Sequence, residues 1–432
     1  MSLILSKKRP YSGLFLLLLF HSFLLGVDYL PVISSIEIIG NDKTKDYIID
    51  REIQHKINTI LDSALAEQDR NRLDNLGLFS EVKWRVIPLE NGTAILQYSI
   101  LESIQKTPPG AFPAYDEKTG WSLAGLWIIQ NFRGRNQQIS ISGSIGARDN
   151  YSIGFSDPWM FGNHVSLDLG LGHTVFEHLF LERTVVLTDM RFQFGRWFGE
   201  HIKMLIGTEL AQKNFFNKLD TISISYLKPK MSVAYDTRDI FWNPSTGYYF
   251  SQYFYWISDL KNRENSALIW KQSYSRFIRI GSKLQKLVLA INFTGYRRWG
   301  GKNDVWLSYL GGSYSIRGWP LPNRSIYSPS KQPFRFGYEY VFSSIELRKD
   351  IIPQFVTTYK FETGLSLVCF IDGGLIADSW SQLSSQKIMA GAGFGIRVPF
   401  PMIDVIRLDL GWGIRDGKWN SPSLHWGITQ KF

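Results

Sequence analysis

Apolar and polar residues alternate with a period of two through residues 121–432. Residues 406–415, IRLDLGWGIR, place Ile, Leu, Leu, Trp and Ile on one face and Arg, Asp, Gly, Gly and Arg on the other. This period predicts β-strands. A soluble β-sandwich would bury the apolar face, whereas a membrane β-barrel would turn it toward lipid. A single strand fits either architecture.

The number of strands and the aromatic residues at their ends favour a barrel. About fifteen segments of roughly ten residues fit the alternation, and bacterial barrels have an even number of strands. The pattern therefore predicts an antiparallel transmembrane β-barrel of about 16 strands over residues 121–432, with the missing first strand within residues 111–118. Aromatic residues suited to the interfacial girdles of such a barrel are Trp159, Phe161, Trp197, Phe198, Phe241 and Trp242.

Residues 31–102 follow a different pattern, which predicts a small α+β domain. A strand over 32–39 precedes a helix that Thr44 can cap, with apolar residues at helical spacing. A second helix is expected over about 63–75, then strands over 81–87 and 93–101, in the order βααββ. The apolar positions of the first helix are Ile48, Ile49, Ile53 and Ile57.

The segments flanking this domain have simpler interpretations. Residues 1–26 combine three basic residues, at 7–9, with an apolar run over 14–25, which predicts a secretory signal peptide; the alternative is an uncleaved anchor. Pro108, Pro109 and Pro113 predict a linker within residues 103–120.

Composition narrows the function classes. The formal net charge is +10, without a clustered basic stripe, which gives no indication of nucleic-acid binding. A single cysteine excludes an intrachain disulfide. The sequence has no nucleophile-elbow, zinc-protease or phosphate-loop motif. We therefore expect no catalytic residues, metal or cofactor, and classify the protein as a non-enzyme.

Two stretches in the small domain carry a family resemblance. IEIIGN at 36–41 and NRLDNLGLFSEVKW at 71–84, with the closing strand, resemble a POTRA domain present in one copy. The resemblance implies a periplasmic domain whose exposed sheet edge pairs with an extended client segment. The alternative is an α+β spacer.

The barrel half carries motifs of its own: DPW at 157–159, YDTRD at 235–239, IRGW at 316–319 and FIDGG at 370–374. Together they resemble the barrel of the BamA/TamA outer-membrane assembly superfamily, which includes surface antigens. Trp319 departs from the Phe or Tyr more usual in that family, and Pro320 stiffens the motif.

This resemblance implies that residues 311–322 belong to an extracellular loop folded into the barrel lumen. A guanidinium there needs acidic partners, and Asp372 and Glu346 are the candidates for Arg317. Within the motif that runs from Ile316 to Trp319, Gly318 would allow the loop backbone to approach the barrel wall closely. The alternative is a surface arginine in a solvated turn.

The YDTRD motif at 235–239, with Pro244 and Gly247 after it, receives a structural interpretation. Its adjacent charges and turn residues are typical of a strand end. We expect a structural turn for Asp236, Arg238, Asp239, Pro244 and Gly247.

The last strand is predicted to form a weak closure of the barrel. One face of the strand would carry Leu424, Trp426, Ile428 and Phe432, while Gly427 lies on the other face. Glycine weakens a strand. A weak seam between first and last strands could open sideways and offer free edges to a client strand.

These features predict an outer-membrane assembly factor that inserts and folds β-barrel membrane proteins. Its expected partners are unfolded barrel clients, the lipid bilayer and periplasmic accessory proteins, and no nucleic acid. Two alternatives stay open: a two-partner-type protein secretion pore, and a passive barrel.

Overall fold

The fold is described from a computed structural model that covers residues 30–107, 110–162, 164–281, 287–325, 327–400 and 404–432. The predicted signal peptide at 1–26, like Pro108 and Pro109, lies outside the described residues. None of the described helices is long and apolar enough to cross a bilayer.

The N-terminal domain is a mixed sheet covered by two helices. The sheet has the order β2-β1-β4-β3, with β1 parallel to β4 and the other pairs antiparallel. Its core contains Ile33, Ile49, Leu73, Leu96 and Tyr98, all at most 1% exposed. The elements are β1 (Val32–Ile39), α1 (Asp46–Asp50), β2 (Thr59–Ile60), α2 (Ser63–Asn75), β3 (Phe79–Pro88) and β4 (Thr93–Glu102).

The first helix is shorter than predicted. It ends at Asp50 because the next backbone groups have another partner: the N–H groups of Gln54 and His55 donate to the buried Asp69 carboxylate of α2, at 2.9 and 3.1 Å. Ile57 is therefore exposed rather than part of a helix.

The predicted cap is also wrong, since Lys45 occupies the N-cap position and the hydroxyl of Thr44 donates to Glu102 at 2.6 Å. The short strand β2 adds one element to the expected order. By contrast, α2 begins where predicted, because the Asp62 side chain accepts from the N–H groups of Ala64 and Leu65.

The rest of the chain forms one large antiparallel sheet whose strand order runs in a ring. Because β22 and β23 both pair with β21, the ring has sixteen strand positions, as predicted. Two short strands, β16 and β17, pair with each other within a long loop. The strands are β5 (Ala111–Asp116), β6 (Gly120–Phe132), β7 (Gln137–Gly146), β8 (Arg148–Asp157), β9 (Val165–Glu177), β10 (Thr184–Phe198), β11 (Ile202–Phe216), β12 (Thr221–Asp236), β13 (Gly247–Asp259), β14 (Ala267–Ile280), β15 (Leu287–Gly300), β16 (Ser308–Tyr309), β17 (Phe336–Gly337), β18 (Glu339–Val356), β19 (Glu362–Ala377), β20 (Met389–Phe400), β21 (Asp404–Arg415), β22 (Lys418–Trp419) and β23 (Ser423–Ile428).

The first and last strands of this sheet, β5 and β23, meet differently from the other pairs of neighbouring strands. A backbone register joins each successive pair from β5 to β21 and β21 to β23, with local irregularities in the β6–β7 and β18–β19 pairs. Within the described residues, no such register joins β23 to β5. In the part of the chain that the structure describes, the ring is therefore paired by backbone registers at every junction but this seam.

The first strand lies inside the stretch where the sequence predicts it, at Ala111–Asp116. Pro113, expected in a linker, instead lies within this strand opposite Leu123. Proline has no N–H to donate, which favours it at the edge of a sheet, at the start of a strand or at a bulge. Its position here is consistent with β5 being the terminal strand of the sheet.

The outer face of the ring is apolar and the inner face is polar. Ile371 on β19 is 61% exposed and Leu424 on β23 is 64% exposed, whereas Asp372, Glu346 and Asp409 point inward and are at most 1% exposed. An exposed apolar exterior around a polar interior is the pattern of a membrane barrel. The predicted fold class, a POTRA-like domain followed by an antiparallel barrel, is confirmed.

The predicted girdle residues gather at one end of the barrel. Trp197 and Phe198 close β10, while the other four follow the ends of β8 and β12. These three strands run in the same direction, because alternate strands of an antiparallel sheet are parallel. The rings of Trp197 and Phe241 stack at 6.1 Å. This is also the end that contacts the N-terminal domain.

Candidate functional site in the barrel lumen and at the seam

The long loop between β15 and β18 folds back into the barrel. Three of its residues, Leu310, Ile316 and Trp319, are at most 3% exposed and pack against Ile376 and Met389 of the wall. The indole Nε1 of Trp319 donates to the carbonyl of residue 390 at 2.7 Å. The loop is thus part of the barrel interior and is not a solvated surface turn.

Arg317 lies at the tip of this loop and is 0% exposed. Its guanidinium makes bidentate hydrogen bonds to Asp372, Nε to Oδ2 at 2.8 Å and Nη2 to Oδ1 at 3.0 Å. Its Nη1 donates to Glu346 at 2.6 Å and to Asp409 at 3.3 Å. The structure therefore brings Arg317 to both carboxylates proposed from the sequence, and to a third.

The sequence prediction missed Asp409, although the signal was present. Asp409 lies on the polar face of the alternating segment 406–415, which indicated that it points into the lumen. Arg317 thereby bridges strands β18, β19 and β21 at once. A planar guanidinium suits this task because its donors form a fixed fork.

Further cations surround the three carboxylates. Lys431 lies 2.8 Å from Asp372, Arg348 lies 2.7 Å from Glu346, and Arg397 lies 2.6 Å from Asp409. Arg407 is fully buried, and its nearest carboxylate oxygen, on Asp409, is 3.9 Å away. With Arg317, five cations thus share three carboxylates in this lumenal cluster.

Glycines on the wall allow the loop tip to come close. Gly318 has a φ of +88° and lies against the backbone of residues 412–413. An added Cβ on Gly391 would overlap the carbonyl oxygen of Arg317, and one on Gly411 or Gly413 would press on Gly318. The sequence indicated the close approach of Gly318 but not the wall glycines that receive it.

At the seam, side chains make the contact that the backbone does not. Glu117 follows β5, and its Oε1 lies 2.8 Å from His425 Nδ1 on β23. The other ring nitrogen of His425 accepts from the N–H of Gly318 at 2.9 Å. Glu117 Oε2 accepts from the N–H of Ser313 at 3.1 Å. First strand, last strand and lumenal loop therefore meet at one point.

The last strand has the predicted faces only as far as residue 428. Leu424 and Ile428 are exposed on the outside, with Trp426 between them on the same face, and Gly427 faces inward. An added Cβ on Gly427 would overlap the guanidinium of Arg407. Gly427 thus makes room for a buried arginine.

Phe432 does not share the outward face, so that part of the prediction is wrong. The strand ends at Ile428, and Thr429 adopts a φ of +68°, which turns the chain inward. Phe432 then packs against Phe277 on the inner face of β14. Its carbonyl accepts from Arg348 at 3.4 Å.

The motif after β12 forms a compact turn. Arg238 pairs with Asp236 at 2.7 Å, and the carboxylate of Asp239 accepts from the N–H of Ser245 at 2.8 Å. Pro244 is buried within the turn, and Gly247 begins β13 with a φ of +105°. These contacts are those of a turn.

The same turn contacts the N-terminal domain. The side chain of Asn75, at the end of α2, donates to the Asp239 carbonyl at 3.1 Å and accepts from the N–H of Phe241 at 2.8 Å. At a second contact, Asn131 donates to the hydroxyl of Thr44 at 2.8 Å. The sequence prediction did not foresee this docking.

A third contact uses a girdle aromatic. Arg51 lies 4.0 Å from the ring centroid of Trp159, which in turn lies 3.8 Å from the imidazole of His164. Burial, with a smaller contribution from the Arg51 charge, lowers the pKa of His164. A neutral imidazole avoids repulsion from the nearby guanidinium.

Family comparisons agree with this architecture. The Omp85 superfamily domain matches residues 131–432, and the POTRA model, described as a surface antigen variable number repeat, matches residues 31–103. The chain belongs to the Omp85 superfamily. Members of this superfamily are outer-membrane proteins with periplasmic POTRA domains, which places the barrel in the outer membrane and the N-terminal domain in the periplasm.

Individual relatives are distant. The chain is 23% identical over 427 residues to the outer membrane protein assembly factor BamA of Nitratidesulfovibrio vulgaris, covering 93% of this chain and 51% of the relative. It is 23% identical over 188 residues to the corresponding factor of Neisseria meningitidis, covering 42% of this chain and 23% of that protein. The chain thus spans at most about half the length of these curated relatives.

Solved structures share the fold. BamA from Haemophilus ducreyi lacking POTRA domains 1–3 superimposes with a TM-score of 0.54 at 16% identity, covering 92% of this chain and 83% of that structure. CdiB from Escherichia coli gives a TM-score of 0.57 at 12% identity, covering 93% and 90%. At these identities the likeness concerns the fold.

Proposed function

We propose that this Omp85 protein inserts β-barrel proteins into the outer membrane through the seam between β5 and β23. The observation that carries the proposal is that, among the residues the structure describes, no backbone register joins β5 to β23 as one joins the other neighbouring strands. Few interactions must break for the seam to open. The freed edges then present unpaired N–H and C=O groups to a client strand.

The N-terminal domain supports a role in receiving clients. Strand β3 ends the sheet order on one side, so an extended segment can pair with its outer edge. Glu81, Lys83 and Arg85 lie along this strand, and charges of this kind limit uncontrolled pairing. We propose that unfolded barrel proteins bind here before they reach the seam, with help from periplasmic accessory proteins.

This function requires no covalent step. Client strands exchange hydrogen bonds with water for hydrogen bonds with the open seam and then with one another. The described residues contain no cluster of His, Cys, Asp and Glu suited to a metal ion. The lumenal cluster around Arg317 would hold the loop, and with it the wall on the β23 side of the seam, while β5 separates from β23.

Depletion combined with reconstitution tests the proposal. Cells depleted of the protein should lose outer-membrane barrel proteins, and liposomes containing the purified full chain should insert an unfolded barrel client faster than empty liposomes. Normal barrel levels after depletion, together with no insertion in liposomes, would overturn it.

The second candidate is a protein secretion pore of the two-partner type. The fold shared with CdiB is compatible with it, as it is with assembly. A pore would pass one extended protein through the lumen, and the loop would have to leave. Export of a dedicated partner encoded beside the gene, without any effect on barrel insertion, would favour this function. Large and steady conductance in planar bilayers would favour a passive barrel instead.

A further inference from the structure

Glu117 occupies an unusual position in this barrel. It lies in the hairpin turn between β5 and β6, and one carboxylate oxygen contacts the last strand while the other contacts the lumenal loop. Its side chain is only 14% exposed. One residue of the first hairpin thus touches both structures that border the seam.

The hydrogen bonds of His425 define which of its ring nitrogens carries the proton. Its Nε2 accepts from the N–H of Gly318, and a backbone N–H can only donate. Nε2 must therefore carry the lone pair, so the proton is on Nδ1, which donates to Glu117 at 2.8 Å. The imidazole is fully buried and passes a hydrogen bond from the loop to the first hairpin.

The two sides of this chain of bonds belong to different bodies. The loop is fixed through Arg317 to β18, β19 and β21, and β23 pairs with β21. Tyr314 of the loop also donates to the Ile428 carbonyl at 3.1 Å. Loop and last strand therefore move together, and Glu117 ties the first hairpin to both.

We propose that Glu117 and His425 form a latch that couples opening of the seam to release of the lumenal loop. Separation of β5 from β23 requires the Glu117–His425 bond to break. The same movement removes Glu117 from the Ser313 N–H of the loop. Both are positioning residues. The consequence for insertion rests on the proposed function, whereas the coupling itself is a property of the unoccupied barrel.

Two substitutions of His425 separate the two bonds. In His425→Asn the amide nitrogen can replace Nδ1 as donor to Glu117, but the acceptor for Gly318 is lost. In His425→Gln the amide oxygen can replace Nε2 as acceptor from Gly318, but the donor to Glu117 is lost. Glu117→Ala removes both contacts of the first hairpin.

The experiment is hydrogen–deuterium exchange on the full chain in lipid nanodiscs, without client. We expect His425→Gln to accelerate exchange in residues 111–125 about tenfold, the effect of losing a charge-assisted hydrogen bond, while residues 311–322 stay protected. We expect His425→Asn to accelerate residues 311–322 first. Glu117→Ala should accelerate both segments.

The control is His173→Asn, whose ring bonds to Thr188 between β9 and β10, far along the sheet from the seam. If no latch variant changes exchange at 111–125 or 311–322 more than this control, the latch is wrong. If the His425 variants do not fold, Glu117→Ala decides, because that side chain lies in a turn and is partly exposed.

Failure of the latch is distinguishable from failure of the proposed function. If all variants exchange at the wild-type rate while the wild-type chain inserts clients, the latch alone is overturned. If the variants show the expected changes in exchange but the wild-type chain inserts no client, the proposed insertion function alone is overturned.

Discussion

The wall formed by β18–β21 and the seam between β23 and β5 are closed by opposite means. Backbone registers join every pair of neighbouring strands in the wall, with irregularities only at residues 350–355 of β18, and Arg317 ties three of its strands together through buried ion pairs. The seam has no register in the described residues and is joined by side chains of Glu117 and His425. The comparison shows a barrel whose lumenal loop is anchored by buried ion pairs to the wall and joined to the first hairpin by the side chain of Glu117.

The largest effect is expected from breaking the anchor. Arg317→Ala should lower the free energy of unfolding by about 3 kcal/mol, the low end for loss of a buried ion-pair partner. The loss stays at that end because Lys431, Arg348 and Arg397 still pair with the three carboxylates. Heat-modifiable gel mobility should show unfolding at a lower temperature.

The matched control for this variant lies on the same loop. Arg324→Ala removes an ion pair with Glu177, in which the two side chains are 38% and 62% exposed, together with exposed hydrogen bonds to the carbonyls of His178 and Leu181. Exposed pairs contribute about 0–1 kcal/mol, so Arg324→Ala should unfold nearly as the wild type does. Equal losses in the two variants would contradict the anchoring role of Arg317.

A second effect is expected from filling the space beneath the loop tip. Gly391→Ala should cost about 2 kcal/mol, because the new methyl overlaps the Arg317 carbonyl and either the loop or the wall must move. Gly373→Ala is the control, since its Cβ would meet only ordinary contacts at 3.8 Å or more. Thermal unfolding of the two variants in detergent measures the difference, and indistinguishable melting would count against the seated loop.

A smaller effect is expected at the seam itself. Gly427→Ala should cost about 1 kcal/mol, since the methyl meets the guanidinium end of the Arg407 side chain rather than backbone atoms. Exchange of amide hydrogens in β23 should rise while that in β18–β20 does not. Gly143→Ala, with its nearest contact at 3.6 Å, is the control. A rise in amide exchange confined to β18–β20 would instead place the weaker part of the barrel in the wall.

Sequence alone predicted the elements that depend on local pattern. The period of two indicated the barrel, and side-chain parity placed Asp372 and Glu346 inside it, within reach of an arginine that needed acidic partners. Asp409 was recoverable by the same parity. What could not be read locally was register: which cations share which carboxylate depends on how strands lie beside one another.

The sequence predictions that failed did so for specific physical reasons. The first helix stops early because Asp69, from a later helix, takes the backbone groups of Gln54 and His55. Phe432 points inward because the chain turns at Thr429, where the strand pattern gave no sign of an end. The Glu117–His425 contact joins residues 308 positions apart, and neither residue belongs to a motif.

Site-specific photo-crosslinking during client insertion tests the central claim most directly. A photoreactive residue at Leu424, on the outer face of β23, should capture an unfolded barrel client in liposomes, since this position borders the seam. The same residue at Ile371, equally exposed on β19, should capture little. Equal capture at the two positions, or capture only at Ile371, would contradict insertion through the seam.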